Sequence, residues 1–251
     1  MPSYADVVGQ LRAAGSVFAE DEAILLIDAA KDDLEELVAR RVAGAPLEQV
    51  VGWAQFAGLR IPVDPGVFVP RRRTELLARR AAALVPPDGV AVDLCCGSGA
   101  IAALIRAVNP SVELHAADLD EAAVRCATRN LGESVHQGDL YDALPRALRG
   151  GIDVLVANAP YVPTSEISLM PAEARDFEPR VTLDGGDDGL DVIRRVVTGA
   201  TEWLSDLGHL LFEVGRPQVA VAEGLCRDAG LIPMVVQEDG LSATAVIAKR
   251  G

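Results

Sequence analysis

The stretch Val92-Asp93-Leu94-Cys95-Cys96-Gly97-Ser98-Gly99-Ala100 decides the fold of this chain. Its order predicts a buried strand, a tight glycine loop and the start of a helix. The glycines on both sides of Ser98 let the backbone approach a ligand with no Cβ in the way. The stretch has neither the third glycine of a dinucleotide loop nor the lysine of a phosphate loop, which disfavours NAD and ATP. It therefore predicts a loop that holds a nucleoside by other contacts.

The same strand-then-helix order repeats through the rest of the chain. Strands are predicted at residues 90–94, 112–117, 134–137, 152–157, 208–214, 231–236 and 243–248. Helices are predicted at residues 100–108, 121–130, 190–204 and 217–229. Successive βα units imply a parallel sheet with right-handed crossovers. The closing hairpin adds an antiparallel strand, so the predicted fold class is α/β with a mostly parallel, Rossmann-like sheet.

The N-terminal part has a different pattern. Apolar residues at helical spacing predict helices at residues 4–14, 20–30 and 31–44, and short alternating pieces follow them. A further helix is predicted to run from residues 71–74 to Leu84. We therefore expect a small helical domain at 1–52, a β-hairpin linker at 53–69 and the nucleoside-binding domain at 70–251.

Composition limits the classes of partner. The 251 residues are 50% apolar and carry 37 acidic against 23 basic side chains, a net charge of −14. Such a charge argues against a nucleic-acid partner, because an acidic protein is repelled by phosphate backbones. The four cysteines show no metal-binding or disulfide spacing. With no signal or membrane-spanning pattern, we expect a reduced, cytoplasmic protein with a protein or small-molecule substrate.

Three aspartates lie at or just after the ends of successive predicted strands, where ligands of open α/β sheets bind. Asp118 stands where a carboxylate could accept hydrogen bonds from both hydroxyls of a ribose. Asp139-Leu140 offers a carboxylate and a backbone amide to an adenine edge, and Asp93 could lie near the amino group of a methionine moiety. Each aspartate could also be a helix cap or a solvated turn residue. Their shared placement favours a nucleoside site.

Ala157-Asn158-Ala159-Pro160-Tyr161 follows the fourth predicted strand of the sheet. It offers a planar nitrogen substrate a side-chain carbonyl, backbone carbonyls and an aromatic face. In isolation this pattern is more often a strand-to-loop turn. Beside a nucleoside site it predicts methyl transfer from S-adenosylmethionine to an amide or amine nitrogen.

From about Arg41 to Val221 the sequence resembles the HemK/PrmC family of protein-(glutamine-N5) methyltransferases, a branch of the class I enzymes that use S-adenosylmethionine. The matching segments are Ala45-Pro46-Leu47-Glu48-Gln49 with Gly52, Phe56-Ala57-Gly58-Leu59, Val69-Pro70-Arg71, Thr74-Glu75, Asp93–Gly99, Asn158–Tyr161, Glu178-Pro179-Arg180, Gly185–Asp191, and Glu213-Val214-Gly215 with Gln218. So many ordered segments make the resemblance specific.

The resemblance implies a class I methyltransferase sheet, S-adenosylmethionine as cofactor, and a protein glutamine amide as methyl acceptor, in a peptide release factor that the N-terminal helices help to bind. The implied cofactor-binding residues are Asp93, Cys95, Gly97, Ser98, Gly99, Asp118, Leu119, Asp139, Leu140 and Asn158. The implied catalytic positions are Asn158, Ala159, Pro160 and Tyr161. The implied substrate-binding residues are Arg71, Thr74 and Glu178, and no metal ligand is expected.

Two departures from the family pattern concern the acceptor. Position 159 is alanine where the family usually has proline, which keeps a backbone carbonyl but removes rigidity. Arg72 and Arg73 stand where the family has a proline and an acidic residue. The three arginines at 71–73 are either a solvated cluster or a site for an acidic partner or a substrate carboxylate.

Three functions remain open from the sequence. The leading one is methylation of a protein glutamine amide. The second is N-methylation of a nucleic-acid base or of a small-molecule amine. The third is a cofactor-binding homologue without catalytic activity.

Overall fold

The computed structural model describes residues 2–251, and its first part is helical. The helices are α1 (Tyr4–Ala13), α2 (Ala19–Ala29), α3 (Leu34–Val42) and α4 (Leu47–Val51). Ser3 and Asp6 form a capping box that starts α1. Buried leucines and valines of the four helices pack into one cluster, which Phe177 joins from far along the chain. The three predicted helices are present, and α4 is a short helix that was not predicted from the sequence.

The N-terminal helices connect to the rest of the protein through a hairpin and a loop. Strands β1 (Trp53–Phe56) and β2 (Leu59–Pro62) pair antiparallel, as expected for the linker. An extended loop with two buried valines, Val67 and Val69, then leads to helix α5 (Thr74–Leu84). This loop carries the three consecutive arginines to the edge of the main sheet.

Seven strands form the main sheet. They are β3 (Val90–Leu94), β4 (Glu113–Asp118), β5 (Val135–Gln137), β6 (Ile152–Ala157), β7 (Leu204–Glu213), β8 (Leu231–Glu238) and β9 (Ala243–Arg250). Their order is β5-β4-β3-β6-β7-β9-β8. Strands β3 to β7 pair parallel, and β9 pairs antiparallel with both β7 and β8. The predicted fold class is confirmed.

Helices cover both faces of this sheet. The remaining ones are α6 (Ala100–Val108), α7 (Glu121–Leu131), α8 (Ala172–Phe177), α9 (Asp191–Trp203) and α10 (Val219–Asp228). Successive residues of β3 enter two different clusters: Ala91 packs with α5, α6 and α7, and Val92 packs with α9 and α10. Because the side chains of a strand alternate between faces, a strand buried on both faces reads as a continuous apolar run. That is why β3 and β6 were correctly located from sequence.

Two differences from the sequence reading lie outside the sheet centre. Strand β7 begins at Leu204, immediately after α9, so the predicted end of that helix is the first residue of the strand. The segment between β6 and α9 contains α8, which no periodic pattern had indicated. None of the helices formed by residues 2–251 has the length and apolar character that crossing a bilayer needs.

Candidate active site

A cavity of about 270 Å³ opens beyond the carboxyl ends of β3, β4, β6 and β7. The predicted cofactor residues that line it are Cys95, Gly97, Ser98, Asp118, Leu119, Asp139, Leu140 and Asn158. The predicted catalytic and substrate residues that line it are Arg71, Thr74, Ala159, Pro160 and Tyr161. The structure thus brings the glycine loop and the Asn-x-Pro-Tyr segment to one cavity.

The two glycines of the loop have different environments. Gly97 has a φ of +55°, and a Cβ added there would meet nothing within 4 Å, so its backbone borders open space. Gly99 has a φ of +78°, but its added Cβ would lie 2.7 Å from Leu131 of α7. Gly99 does not line the cavity. We conclude that Gly97 permits backbone approach to a ligand, whereas Gly99 permits close packing of α6 against α7.

Asp118 ends β4 and is held by backbone amides. Its Oδ2 accepts a hydrogen bond from Gly97 N at 2.8 Å, and its Oδ1 accepts one from Asp120 N at 2.9 Å. Burial raises the pKa of this carboxyl, and the two amides oppose the rise. Each carboxylate oxygen can accept a second bond. Asp118 is therefore an oriented acceptor on the cavity wall.

Asp139 and Leu140 follow β5 at the same wall. Asp139 Oδ2 accepts a hydrogen bond from Arg195 Nη2 of α9 at 2.8 Å. Leu140 is buried with a φ of +50°, a conformation that a residue with a Cβ seldom adopts. The unusual backbone turns the chain at the strand end. Arg195 also lines the cavity, and it was not predicted because nothing in the periodicity of α9 distinguishes it from a surface arginine.

Asp93 does not reach the cavity wall. It is fully buried at the end of β3, where its Oδ2 accepts a hydrogen bond from Ala102 N at 3.2 Å and its Oδ1 has no partner in the described part of the chain. Burial, together with the charge of Asp118, raises the pKa of Asp93 to about 8. Its contact with a methionine moiety stays a prediction. In the structure, the side chain connects the strand end to α6.

Asn158 is the first residue after β6 and is oriented by α5. Its Nδ2 lies 3.4 Å from Thr74 Oγ1, a long contact to a buried hydroxyl. Its Oδ1 is buried and has no partner within residues 2–251. A buried carbonyl oxygen without a donor is costly, so a ligand that brings an N–H or O–H group to it is stabilised. Ala159 is also buried and follows on the cavity wall.

The backbone of Tyr161 is fixed by a distant segment. Gln218 Nε2 donates hydrogen bonds to Tyr161 O at 2.8 Å and to Asp188 O at 2.9 Å. Gly189 approaches Tyr161 O so closely that an added Cβ would lie 2.3 Å from it. These contacts restrain the loop on the C-terminal side of Ala159, where the replacement of proline by alanine predicts reduced rigidity.

The hydroxyl of Tyr161 belongs to an ionic network. Glu213, the last residue of β7, accepts on Oε1 a hydrogen bond from the Tyr161 hydroxyl at 2.5 Å and another from Arg73 Nε at 3.1 Å. The Arg73 guanidinium lies 5.5 Å from the centre of the Tyr161 ring. Burial and the charge of Glu213 raise the pKa of Tyr161 far above its usual range, so the phenol stays neutral.

A second arginine–glutamate pair borders the cavity. Glu178 follows α8, accepts a hydrogen bond from Val69 N at 2.9 Å, and pairs with Arg71 Nη2 at 2.5 Å. Burial raises the pKa of Glu178, and Arg71 opposes that rise. Glu178 does not line the cavity but pairs with Arg71, which does, and the role of both in substrate binding stays a prediction. Arg72 is exposed and lies outside the cavity.

Glu213 at the acceptor end was not predicted as a site residue, and Arg73 was named only as part of the arginine cluster at 71–73. Glu213 carried a usable signal, since a carboxylate ends an apolar strand there just as Asp93 and Asp118 do. The sequence left open whether that cluster is solvated or binds an acidic partner or a substrate carboxylate, and the place of Arg73 on the cavity wall depends on its pairing with Glu213, 140 residues away. Within residues 2–251, no group of three histidine, cysteine or acidic side chains could hold a metal ion.

Comparison with known proteins gives three results. A methyltransferase small domain model matches residues 58–174. The chain is 39% identical over 213 residues to a release factor glutamine methyltransferase from Streptomyces coelicolor, covering 81% of this chain and 71% of that protein. It is 37% identical over 203 residues to a 4-amino-L-phenylalanine/4-methylamino-L-phenylalanine methyltransferase from Streptomyces pristinaespiralis, covering 77% of this chain and 69% of that protein.

A solved structure supports the fold independently. The methyltransferase from Pyrococcus furiosus superposes with a TM-score of 0.57 at 17% sequence identity, covering 85% of this chain and 97% of that one. The similarity extends over almost the whole of that protein.

Proposed function

We propose that this chain, which belongs to the release factor glutamine methyltransferase family, transfers a methyl group from S-adenosylmethionine to the side-chain amide nitrogen of a protein glutamine. The observation that carries the proposal is Asn158 Oδ1, which is buried at the cavity and has no donor within residues 2–251. An amide nitrogen brings the N–H group that this oxygen lacks.

The reaction depends more on orienting the acceptor nitrogen than on a catalytic base. An amide nitrogen is a weak nucleophile because its lone pair is delocalised into the carbonyl group. Two acceptors on its two N–H bonds would fix the nitrogen, and Asn158 Oδ1 with the backbone carbonyl of Ala159 supplies such a pair. Alanine keeps the carbonyl that proline would supply. Alignment of two bound reactants is the main source of rate in this type of reaction.

The residues at the other end of the cavity fit the cofactor. Bound S-adenosylmethionine supplies an electrophilic methyl group on a sulfonium sulfur. Asp118 would accept hydrogen bonds from the ribose hydroxyls, and the open space beside Gly97 would admit the ligand against the backbone. Asp139 and Leu140 would contact the adenine edge. Tyr161, neutral and held by Glu213, would shield the reacting atoms from water.

The partner that this proposal implies is a peptide release factor, bound in part by helices α1 to α4. The proposal is supported by the similarity to a release factor glutamine methyltransferase, which extends over 81% of this chain. A cytoplasmic location and the absence of a nucleic-acid partner stay predictions from composition.

The test is transfer of labelled methyl groups from S-adenosylmethionine to a purified peptide release factor. We expect incorporation into the wild-type factor and none into a factor whose Gly-Gly-Gln glutamine is replaced by glutamate. Cofactor binding by calorimetry without transfer to any acceptor would favour the non-catalytic alternative. Transfer to purified RNA or DNA and none to protein would favour the nucleic-acid alternative.

A second candidate acceptor is the side-chain amine of a free amino acid. Two observations favour it: the similarity to the 4-amino-L-phenylalanine methyltransferase, and the two arginines that line the acceptor end of the cavity. An aryl amine also has N–H groups, and Asn158 Oδ1 could accept a hydrogen bond from one of them. 4-Amino-L-phenylalanine therefore belongs in the same assay as the release factor.

A further inference from the structure

The acceptor end of the cavity contains two guanidinium groups, each held by a buried glutamate. Arg71 pairs with Glu178, and Arg73 pairs with Glu213. The side chains of the glutamates are 0% and 3% exposed, whereas those of the arginines are 30% and 43% exposed. Glu213 borders the cavity, but its side chain is almost wholly buried, so in both pairs the guanidinium is the group more accessible to a ligand.

Arg73 has most of its hydrogen-bonding capacity unused. Its Nε donates to Glu213, and its two Nη atoms donate to no group within residues 2–251. A guanidinium stays charged at any physiological pH and presents five donors in a planar fork that matches a carboxylate. Arg73 also directly precedes α5, whose N-terminus adds positive potential. The surroundings therefore favour an anion beside this side chain.

The position of Arg73 relates that anion to the reacting nitrogen. Its guanidinium lies 5.5 Å from the centre of the Tyr161 ring, and Tyr161 is three residues from Asn158. Arg73 also directly precedes Thr74, whose hydroxyl lies 3.4 Å from Asn158 Nδ2, so a carboxylate bound by Arg73 and an N–H group at Asn158 would share one cavity. A glutamine within a protein has no carboxylate of its own, because its carboxyl group is part of a peptide bond.

We infer that Arg73 is a specificity-determining residue that binds a carboxylate of the methyl acceptor. The inference rests on the proposed N-methyl transfer and deepens it. The carboxylate has two sources with the same chemistry: the α-carboxylate of a free amino acid, or an acidic side chain next to the glutamine of a protein substrate. Glu213 acts through Arg73 as a positioning residue, since it fixes the guanidinium and the Tyr161 hydroxyl together.

The test compares an acid with its neutral amide. Wild-type protein, Arg73→Gln and the control Arg72→Gln are assayed with 4-amino-L-phenylalanine, with 4-amino-L-phenylalaninamide and with a peptide release factor. Arg72→Gln removes the same charge at a neighbouring position outside the cavity. A charge-assisted hydrogen bond predicts an effect of about tenfold or more on KM, with a smaller effect on kcat.

Each source gives its own result. If the carboxylate is that of a free amino acid, the wild type prefers the acid over the amide by about tenfold or more, and Arg73→Gln loses the preference. If the carboxylate is an acidic side chain of a protein, Arg73→Gln raises KM for the release factor by a similar factor. The wild type then shows no preference between 4-amino-L-phenylalanine and its amide. Unchanged KM values for all three acceptors in Arg73→Gln would overturn the inference.

Two further measurements separate this inference from folding defects and from the proposed function. Arg73→Gln leaves Glu213 without its cation, so the double variant Arg73→Gln/Glu213→Gln removes both charges and should show the same loss of preference at normal thermal stability. Calorimetric titration of the acid and the amide into protein saturated with S-adenosylhomocysteine needs no turnover. Preferential binding of the acid would support the inference even if no methyl transfer occurred, and equal binding of both, with KM for the release factor unchanged in Arg73→Gln, would overturn it.

Discussion

The two ends of the cavity are assembled in different ways. At the cofactor end, Asp118 ends β4 and Asp139 follows β5, and these carboxylates accept hydrogen bonds from Gly97 and Arg195, 21 and 56 residues away. At the acceptor end, Arg71 pairs with Glu178 across 107 residues and Arg73 pairs with Glu213 across 140 residues. The cofactor end is therefore assembled mainly from neighbouring βα units, whereas the acceptor end is formed only when segments far apart in the chain come together.

The ends also differ in charge. At the cofactor end, the carboxylates of Asp118 and Asp139 line the cavity, and Arg195 pairs with Asp139. At the acceptor end, the guanidinium groups of Arg71 and Arg73 line it, and they are more exposed than the glutamates that pair with them. The difference suggests that cofactor binding and acceptor choice can be altered separately, and the variants below test that separation.

Asn158→Ala should have the largest effect. Loss of the side-chain carbonyl removes one of the two acceptors for the N–H groups, and removal of a single orienting hydrogen bond at a reacting centre costs about 10²–10³-fold in kcat. S-Adenosylmethionine affinity, measured by calorimetry, should be unchanged. Asn109→Ala, outside the cavity, is the control. Unchanged turnover in Asn158→Ala would reject the role given to Oδ1.

Asp118→Asn should weaken cofactor binding and leave kcat nearly unchanged, the reverse of the effect of Asn158→Ala. Loss of a charge-assisted acceptor for the ribose predicts a rise of about 10–100-fold in the Kd for S-adenosylmethionine, with kcat retained at saturating cofactor. The control is Asp88→Asn, the same change at an exposed turn that does not line the cavity. Equal cofactor affinity in the two variants would place the ribose elsewhere.

Asp93→Asn should change stability in a pH-dependent manner. The pKa of Asp93 is about 8 in the folded protein against an ordinary value of 3.8, so the folded state binds the proton more tightly than the unfolded state does. Wild-type stability should therefore fall as the pH rises from about 4 to 8. The neutral amide of the variant carries no such penalty, and one pKa unit is worth about 1.4 kcal/mol.

Urea unfolding of wild type and Asp93→Asn at several pH values measures this effect. The stability gained by the variant should increase steadily up to about pH 8 and then level off. Asp88→Asn again controls for the loss of one charge. A gain that does not vary with pH would mean that Asp93 is ionised throughout.

Ala159→Pro should have the smallest effect. The residue precedes Pro160, which already favours an extended backbone, and no hydrogen bond involving its N–H group is observed within residues 2–251. Proline there should stabilise the protein by about 0.4–1 kcal/mol through the unfolded state. Ala159→Gly should destabilise it by a similar amount. A lower melting temperature for both variants would show that the proline ring does not fit.

The sequence predicted the cofactor end in more detail than the acceptor end, for a physical reason. A buried strand is a continuous apolar run, and the polar residue that ends it marks the binding edge, as at Asp118. Asn158 and Tyr161 were found in the same way because they follow β6. Glu213 ends β7 but was not given a role, since only the fold shows that it binds Tyr161 and Arg73.

Two other residues show the limits of the pattern. Gly99 was assigned to the cofactor from the Gly-x-Gly motif, yet the contact that requires glycine there is with Leu131 of α7. Arg72 and Arg73 were indistinguishable in the sequence; both are exposed, but only Arg73 lines the cavity, where it pairs with Glu213. Local order predicts which residues lie at the sheet edge, and distant contacts decide which of them face the ligand.

The most direct measurement of the central claim is the position of the transferred methyl group. After reaction with S-adenosylmethionine, fragmentation of the acceptor in a mass spectrometer should place one added methyl group on a nitrogen that carries N–H groups, and Asn158→Ala should greatly reduce that product. A methyl group on oxygen or carbon, or the same nitrogen product formed at the same rate by Asn158→Ala, would contradict the account.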